Sequence, residues 1–566
     1  MHRLRMLASA LGLAWLALQS PVARADWPGS PLLNVPVSTA AGGQTLHELV
    51  ADGFKGMIAV WQDSRSGNDD IYAQRMNGAG EALWTPNGVP ICVASGYQLY
   101  PRALPDGTGG AIVTWEDRRN GSTTDIYAQR IDANGTTLWA AGGVMLCGAV
   151  GDQLFPNIVS DGAGGAVVVW ADERLSGHND FYAQRVSPDG TPRWAADGVA
   201  LTTVVLELQE PAVATDDSGG VILTWHAPAG VHSLSPWAQR ADSSGSPRWG
   251  ATGLALADVS AQINPRIASD GSGGAIVAWA DYRDGNGLTT TTYAQRVSAA
   301  GIPMWAASGV PLTTPSGNQA YQAVVPDGAG GAVVAWSDYS TTSIQVQRVN
   351  AAGVPQWPLA GVTVCSASGQ RQVNRIQADG AGGVLVPWFD YRTGDADVYV
   401  QHVNAAGVPA WTAGGVAVCT ATYAQVDPNV VPDDAGGALI AWSDIRSGGN
   451  WHVYAQNVAG GGILGGSTLD VPGVSRPTQL AISSTGPNPH RGSLAVDCSL
   501  PAGGTAIVSL YDVSGRCLES YNLRTPDAAT RHVTFTAMAG RLAPGVYLAR
   551  LSQGQRFVAT SLVLLR

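Results

Sequence analysis

Two sets of side chains recur at fixed spacing and could do chemistry. The first pairs an acid with a base two residues on: Asp63/Arg65, Asp117/Arg119, Asp172/Arg174, Asp281/Arg283, Asp390/Arg392 and Asp444/Arg446. Each acid lies two residues after a tryptophan (Trp61, Trp115, Trp170, Trp279, Trp388, Trp442), and Trp336 with Asp338 is a further copy in which Ser340 replaces the arginine. Such a pair can shuttle protons, anchor an anion, or clamp a loop. Recurrence favours the clamp, because a catalytic site breaks symmetry. The second set is a glutamine at Gln44, Gln98, Gln153, Gln262, Gln319 and Gln425, with Leu208 and Arg371 at the equivalent positions of the two other copies. Six amides around one opening could hold a polar ligand such as a sugar, and Arg371 would bias it toward an anionic group. These glutamines and Arg371 are the candidate ligand-binding residues.

Established catalytic signatures are missing. The chain has no Gly-x-Ser-x-Gly elbow and no His-Glu-x-x-His. Its histidines are scattered, and no carboxylate pair stands out for glycoside hydrolysis. A near-symmetric mouth would favour binding, whereas an asymmetric cluster of acids or arginines would favour a secreted carbohydrate-active enzyme, a glycosidase or lyase. The loops from Asp63 to Asp70 and from Asp172 to Asp180 carry oxygens suited to calcium, but without the Asp-x-Asp-x-Asp-Gly spacing. No cofactor is expected, and calcium is the one metal whose chemistry the loops suit.

The elements that must position these residues form a repeat. The Trp-x-Asp centre and its variant Trp225-His226-Ala227 recur eight times, at spacings between 52 and 57 residues. Each copy holds four short apolar runs separated by Gly, Asn and Asp, the pattern of consecutive antiparallel strands. A fixed period of four strands predicts a β-propeller, here with eight four-stranded blades. Asp-Gly-x-Gly-Gly turns, such as Asp161 to Gly165, join strands 1 and 2; without a following helix or lysine they are hairpin chemistry, not a phosphate loop. The strand 3–4 hairpin, as in Asp242 to Trp249, is similar to the Asp-box hairpin of sialidase-like propellers with one residue more between Gly and Trp. Tracing one unit puts the strand 2–3 loops and the strand 4–1 connections on one face, where any ligand is expected. The eighth copy lacks its own fourth strand, and Trp27 with Leu33 to Val37 matches that strand, so the N-terminal segment is expected to close the last blade.

The chain has 566 residues, 45% hydrophobic and 13% charged. Met1 to Arg5 is a basic start, Met6 to Leu18 an apolar run, and Ala23-Arg24-Ala25 a cleavage site, which reads as a signal peptide over 1–25. The run is too short to span a bilayer, and no later run reaches that length. Removing it takes away three arginines and no acid, leaving 29 basic against 43 acidic residues. An acidic mature chain without basic runs argues against nucleic acid as a partner. Cys92, Cys147, Cys365 and Cys419 share one repeat position and read as small buried hydrophobes. Cys498 and Cys517 are free to pair in an exported protein or to stay apart.

The repeat ends near Val458, and 459–478 reads as a linker. Beyond it stand Pro487-Asn488-Pro489, Leu494 to Cys498, Ile507 to Arg516 with Tyr511-Asp512-Val513 and Gly515, Leu542 to Arg550 with Pro544-Gly545-Val546-Tyr547, and Leu562 to Arg566. These motifs resemble the FlgD-like immunoglobulin fold and the C-terminal sorting domains of the type IX (Por) secretion pathway. The resemblance covers about residues 479–566. It implies an Ig-like β-sandwich of seven strands, an outer-membrane export machine as partner, and surface attachment. The expected organisation is a signal peptide (1–25), a propeller (26–458), a linker (459–478) and a sorting or anchoring domain (479–566). The expected function is that of an extracellular or outer-surface binding and display module of a Gram-negative bacterium, with a polysaccharide or protein ligand.

Overall fold

The structure is a computed structural model. It describes residues 27–465 except 176–178, 203–209, 229–233, 258–261, 284–288, 315–316, 367–370 and 374. In the C-terminal part it describes 480–565 except 485–489, 492–493, 501–503, 526–528, 536–541 and 554–555. The expected signal peptide and much of the expected linker lie outside the described residues. The chain divides into two compact units, 1–467 and 468–566.

Eight sheets fall within residues 35–458. Blade 2 is typical, with antiparallel strands Gln98–Pro105, Ala111–Asp117, Asp125–Ile131 and Val144–Cys147 in that order. Blades 1 to 8 begin at Gln44, Gln98, Gln153, Ala212, Gln262, Gln319, Arg371 and Gln425. The first strand of each blade packs beside that of the next, and the first strand of blade 8 returns to that of blade 1, so the ring is closed. Strand 2 of each blade reads as a continuous apolar run because neighbouring blades cover both its faces, as the full burial of Ala166–Asp172 illustrates. The cores lie between blades: Val50, Ile58 and Val60 of blade 1 pack with Val113 and Trp115 of blade 2.

The N-terminal segment closes the ring. Val35–Ser38 pairs antiparallel with His452–Val458, Val35 opposite Ala455 and Pro36 opposite Tyr454. Trp27 takes the place that a fourth-strand tryptophan takes elsewhere. Its indole donates to the Gly78 carbonyl of blade 1 (2.9 Å), as Trp84 does to Ala133 (3.0 Å) and Trp411 to Gly460 (2.9 Å).

Three local devices repeat. In the Asp-Gly-x-Gly-Gly turn the aspartate accepts two backbone N–H groups, for Asp106 those of Thr108 and Gly110 (both 2.8 Å). A side chain at Gly110 would put its Cβ 2.0 Å from the Ile131 carbonyl oxygen, so only glycine fits. The arginine of strand 3 then ties this turn to the next blade: Arg130 bonds Asp106 (2.9 Å) and the Pro188 carbonyl (3.3 Å). Most inner strands carry a bulge two residues after the glutamine, with positive φ at Tyr100, Phe155, Asn264, Tyr321 and Asp427.

The second unit places eight described strands in two sheets, one of three strands and one of five. Leu494, Val496 and Phe535 from the first share a core with Val508, Leu551 and Leu562 from the second. Tyr547 donates to the Ala543 carbonyl four residues upstream (2.6 Å).

Candidate functional site

The recurrent Asp/Arg pairs are clamps. Asp117 is fully buried; it accepts from the Trp115 indole (2.7 Å), the Arg119 backbone (2.9 Å) and the Arg119 guanidinium (2.8 and 2.6 Å). The guanidinium lies over the Tyr127 ring at 3.9 Å, and Tyr127 stacks on Trp115. Asp63, Asp172, Asp281, Asp390 and Asp444 each hold their tryptophan and arginine in the same way. In blade 6 Ser340 bonds Asp338 in place of the arginine (2.6 Å), and the Trp336 indole nitrogen has no partner among the described residues. Trp225 of blade 4, with no aspartate two residues on, likewise has no partner for its indole nitrogen among the described residues.

The four repeat cysteines are buried and free. Arg119 and Arg174 reach the sulfurs of Cys92 and Cys147 (3.3 and 3.2 Å). Burial pushes the Cys92, Cys147 and Cys419 thiols up to about 12, so they stay protonated. Cys498 and Cys517 are both unpaired in this structure, the first buried and the second exposed.

The glutamines do not form an open amide ring. Gln44, Gln98, Gln153, Gln319 and Gln425 are fully buried. Gln44 donates to Gly42 (3.1 Å), Gln153 to Gly151 (3.2 Å) and Gln425 to Tyr423 (2.8 Å), all carbonyls of the connection just before each. Gln98 bonds both Ala94 and Ser95 of its own connection, and Gln319 accepts from the Thr292 backbone (2.8 Å). Gln319 thus reaches strand 3 of blade 5, whereas the other amides hold loops, because a strand's first residue lies directly beneath the loop that delivers it. The Gln262 side chain and Leu208 lie outside the described residues. Arg371 is buried, and its guanidinium has no hydrogen-bond partner among the described residues.

The long-loop face does carry chemistry. In blades 1, 2, 3, 6 and 8 a backbone bond joins the 4–1 connection to the 2–3 loop, as from Arg118 to Tyr97 (2.8 Å) and from Tyr339 to Asn318 (2.9 Å). Tyr97 and Tyr423 stand in these connections, Tyr339 and Tyr391 in the 2–3 loops, and Tyr100 and Tyr321 on the bulges, all between 38% and 55% exposed. Tyr321 and Tyr339 are neighbours, with ring centres 6.2 Å apart.

Within the ring is a cavity of about 650 Å³. Its wall includes the fourth residue after each glutamine position, where successive blades place Glu48, Arg102, Asn157, Ala212, Arg266, Ala323, Arg375 and Asn429. Arg102 pairs with Glu210 of blade 4, and Arg375 with Glu48 of blade 1. Arg266 has no carboxylate partner among the described residues and donates only to its neighbouring Pro265 carbonyl (3.2 Å). Burial lowers the Arg266 pKa, Glu210 opposes this, and Arg102 and Arg375 reinforce it. Burial, Arg102 and Arg375 hold His47 down at about 3, so it is neutral. The sequence reading missed this cluster. The signal lay in a position that varies within an otherwise regular repeat.

Glu116, the middle residue of its Trp-x-Asp, accepts the bulge N–H of Phe155 in the next blade (2.7 Å). Burial pushes its carboxyl from 4.5 to about 7. Between those values the folded protein keeps a proton that the unfolded chain releases, so stability falls as pH rises through that window. Glu116→Gln keeps the acceptor and cannot ionise. It should be more stable than the parent by on the order of 3 kcal/mol at pH 8, with no difference near pH 4. Urea midpoints measured from pH 4 to 8 check this, and parallel curves would contradict it.

These features define a β-propeller joined to a second, all-β unit. No protein-family model matches the chain, and no curated protein matches it significantly. Among solved structures it is similar to an ulvan lyase of family PL25 bound to -[GlcA(1-4)Rha3S]- (11% identity, 78% of this chain and 96% of that one, TM-score 0.39). It is also similar to PorZ, a surface component of the type IX secretion system of Porphyromonas gingivalis (14%, 94% and 82%, TM-score 0.26). A third is the Penicillium chrysogenum α-L-arabinanase complexed with arabinobiose (14%, 55% and 94%, TM-score 0.28). Likeness of this degree assigns no activity.

Proposed function

We propose that the protein is an exported glycan-binding and display module, with its ligand at the long-loop mouth of the propeller and its C-terminal unit serving secretion or surface attachment. The observation that carries this is the set of exposed tyrosines around an opening whose wall is polar. Aromatic faces suit the apolar faces of sugar rings, and the wall amides and charges suit hydroxyl and acidic groups. The opposite face offers mainly glycine turns.

The secretion part rests on the type IX resemblance of residues 479–566, with an outer-membrane machine as partner and the outer cell surface as destination. The Tyr547–Ala543 bond supports its Ig-like reading, since it has the form of a tyrosine corner.

The arginines stand on blades 2, 5 and 7 only, an asymmetry that favours the second reading, a secreted carbohydrate-active enzyme. Against it, Glu48 and Glu210 are bound to arginines and His47 is held far below neutrality, which is poor ground for a proton-transfer pair near pH 7. Release of new reducing or unsaturated ends from a bound glycan would favour the enzyme.

The test is an array of glycans and peptides probed with residues 26–566. Glycans should be retained, and Tyr391→Ala and Tyr423→Ala should each weaken retention about fivefold or more. An array with peptide ligands only would overturn the reading.

A further inference from the structure

We infer that the channel wall holds an anion-binding subsite centred on Arg266, which takes a carboxylate or sulfate group of an acidic glycan. This rests on the glycan reading for the ligand's class, but the subsite itself stands on separate observations. Three guanidinium groups from blades 2, 5 and 7 converge on one cavity in an otherwise acidic chain. Two carboxylates answer them, and each is taken: Glu210 by Arg102 and Glu48 by Arg375. The wall also carries Asp427, which is not free. Arg266 forms no ion pair with a described carboxylate and is open to the channel solvent.

Exposed to channel water and without an ion-pair partner among the described residues, the Arg266 guanidinium is available to an anion from solution. The planar guanidinium fork matches a carboxylate or sulfate with two parallel donors. Arg102 and Arg375 are held by their own carboxylates and do not compete for an incoming anion. Neutral Asn157 and Asn429 on the same wall offer amides to neighbouring hydroxyls. The volume, about 650 Å³, lies within the ~300–1,000 Å³ range of small-ligand sites. His47 stays neutral, so the positive charge here belongs to arginine alone.

The test uses the wild-type mature chain, Arg266→Gln and Arg266→Lys, with three kinds of probe at matched ionic strength. Inorganic sulfate should raise the melting temperature of the wild type more than that of Arg266→Gln, with Arg266→Lys between them. General salt effects act on all three alike. Trigalacturonate and a sulfated maltotriose separate the two sources of anion by calorimetry. At least one should bind the wild type about tenfold or more tighter than Arg266→Gln, as for hydrogen bonds to a charged partner. The methyl ester of trigalacturonate should bind both proteins equally and weakly. Equal responses of wild type and Arg266→Gln to sulfate and to both acidic sugars would overturn the subsite, whatever the array shows. A sulfate response lost in Arg266→Gln without binding of any sugar would support the anion site and overturn the glycan reading. Each variant is first shown to melt like the wild type without ligand, and Arg266→Lys carries the test if Arg266→Gln does not fold.

Discussion

Removing residues 26–38 from the mature chain should destabilise the propeller severely, more than removing residues 470–566. The segment supplies the outermost strand of blade 8 through the pairing of Val35–Ser38 with His452–Val458. Without it, His452–Val458 becomes an edge and blade 1 loses the tryptophan that covers its strand 3–4 hairpin, where Trp27 lies against Gly80. Trp27 and Val37 are both 3% exposed and belong to one core with Trp61 of blade 1 and Val453 of blade 8. The single change Trp27→Ala should cost about 3–5 kcal/mol, in line with other buried aromatic truncations. Gln456 would also lose the Pro28 and Leu33 carbonyls it holds (2.9 and 3.3 Å). Thermal melts of the two truncations decide the matter, and equal melting would contradict a ring closed by its N-terminus.

Asp117→Ala should be comparably damaging, about 3–5 kcal/mol, because it breaks a buried ion pair and leaves the Arg119 guanidinium uncompensated. The Trp115 indole would be orphaned in the same step. That second loss is tolerable alone, since Trp225 and Trp336 already live with it. Asp117→Asn keeps an acceptor and should cost distinctly less. Urea unfolding of the two variants separates charge from hydrogen bonding, and a cost below about 1 kcal/mol for Asp117→Ala would place the pair among exposed ones of little worth.

The architecture was legible in the sequence because the units must agree with one another. Six of the eight strand 2 tryptophans are held by the same aspartate and arginine, so the period is printed in residues that cannot drift freely. Even the missing eighth copy of the outer tryptophan pointed to Trp27. The site was less legible. The glutamines recur as strongly as the clamps, and for the same reason: they hold loops. Recurrence alone cannot tell a loop-holding amide from one that faces a ligand. The channel residues depend on a bulge that turns a strand by one position, and positive φ at Tyr100, Phe155 or Asp427 has no signature in those residue types. Arg102 and Arg266 follow the bulge, Arg375 holds the equivalent position in blade 7, and the three meet across the ring only when the blades are assembled. The tyrosines of the mouth are spread over four repeat positions, with Tyr339 and Tyr391 sharing one and Tyr100 and Tyr321 another, so no single position of the unit collects them.

The measurement that tests the account most directly is affinity electrophoresis of the folded protein through gels containing polygalacturonate, with neutral dextran as the control. The wild type should be retarded by polygalacturonate. A triple change at the mouth (Tyr97→Ala, Tyr391→Ala and Tyr423→Ala) should run unretarded. A change of exposed apolar residues on the opposite face (Phe54→Ser with Val408→Ser) should run like the wild type. Retardation that survives the mouth changes and disappears with the opposite-face changes would contradict the account.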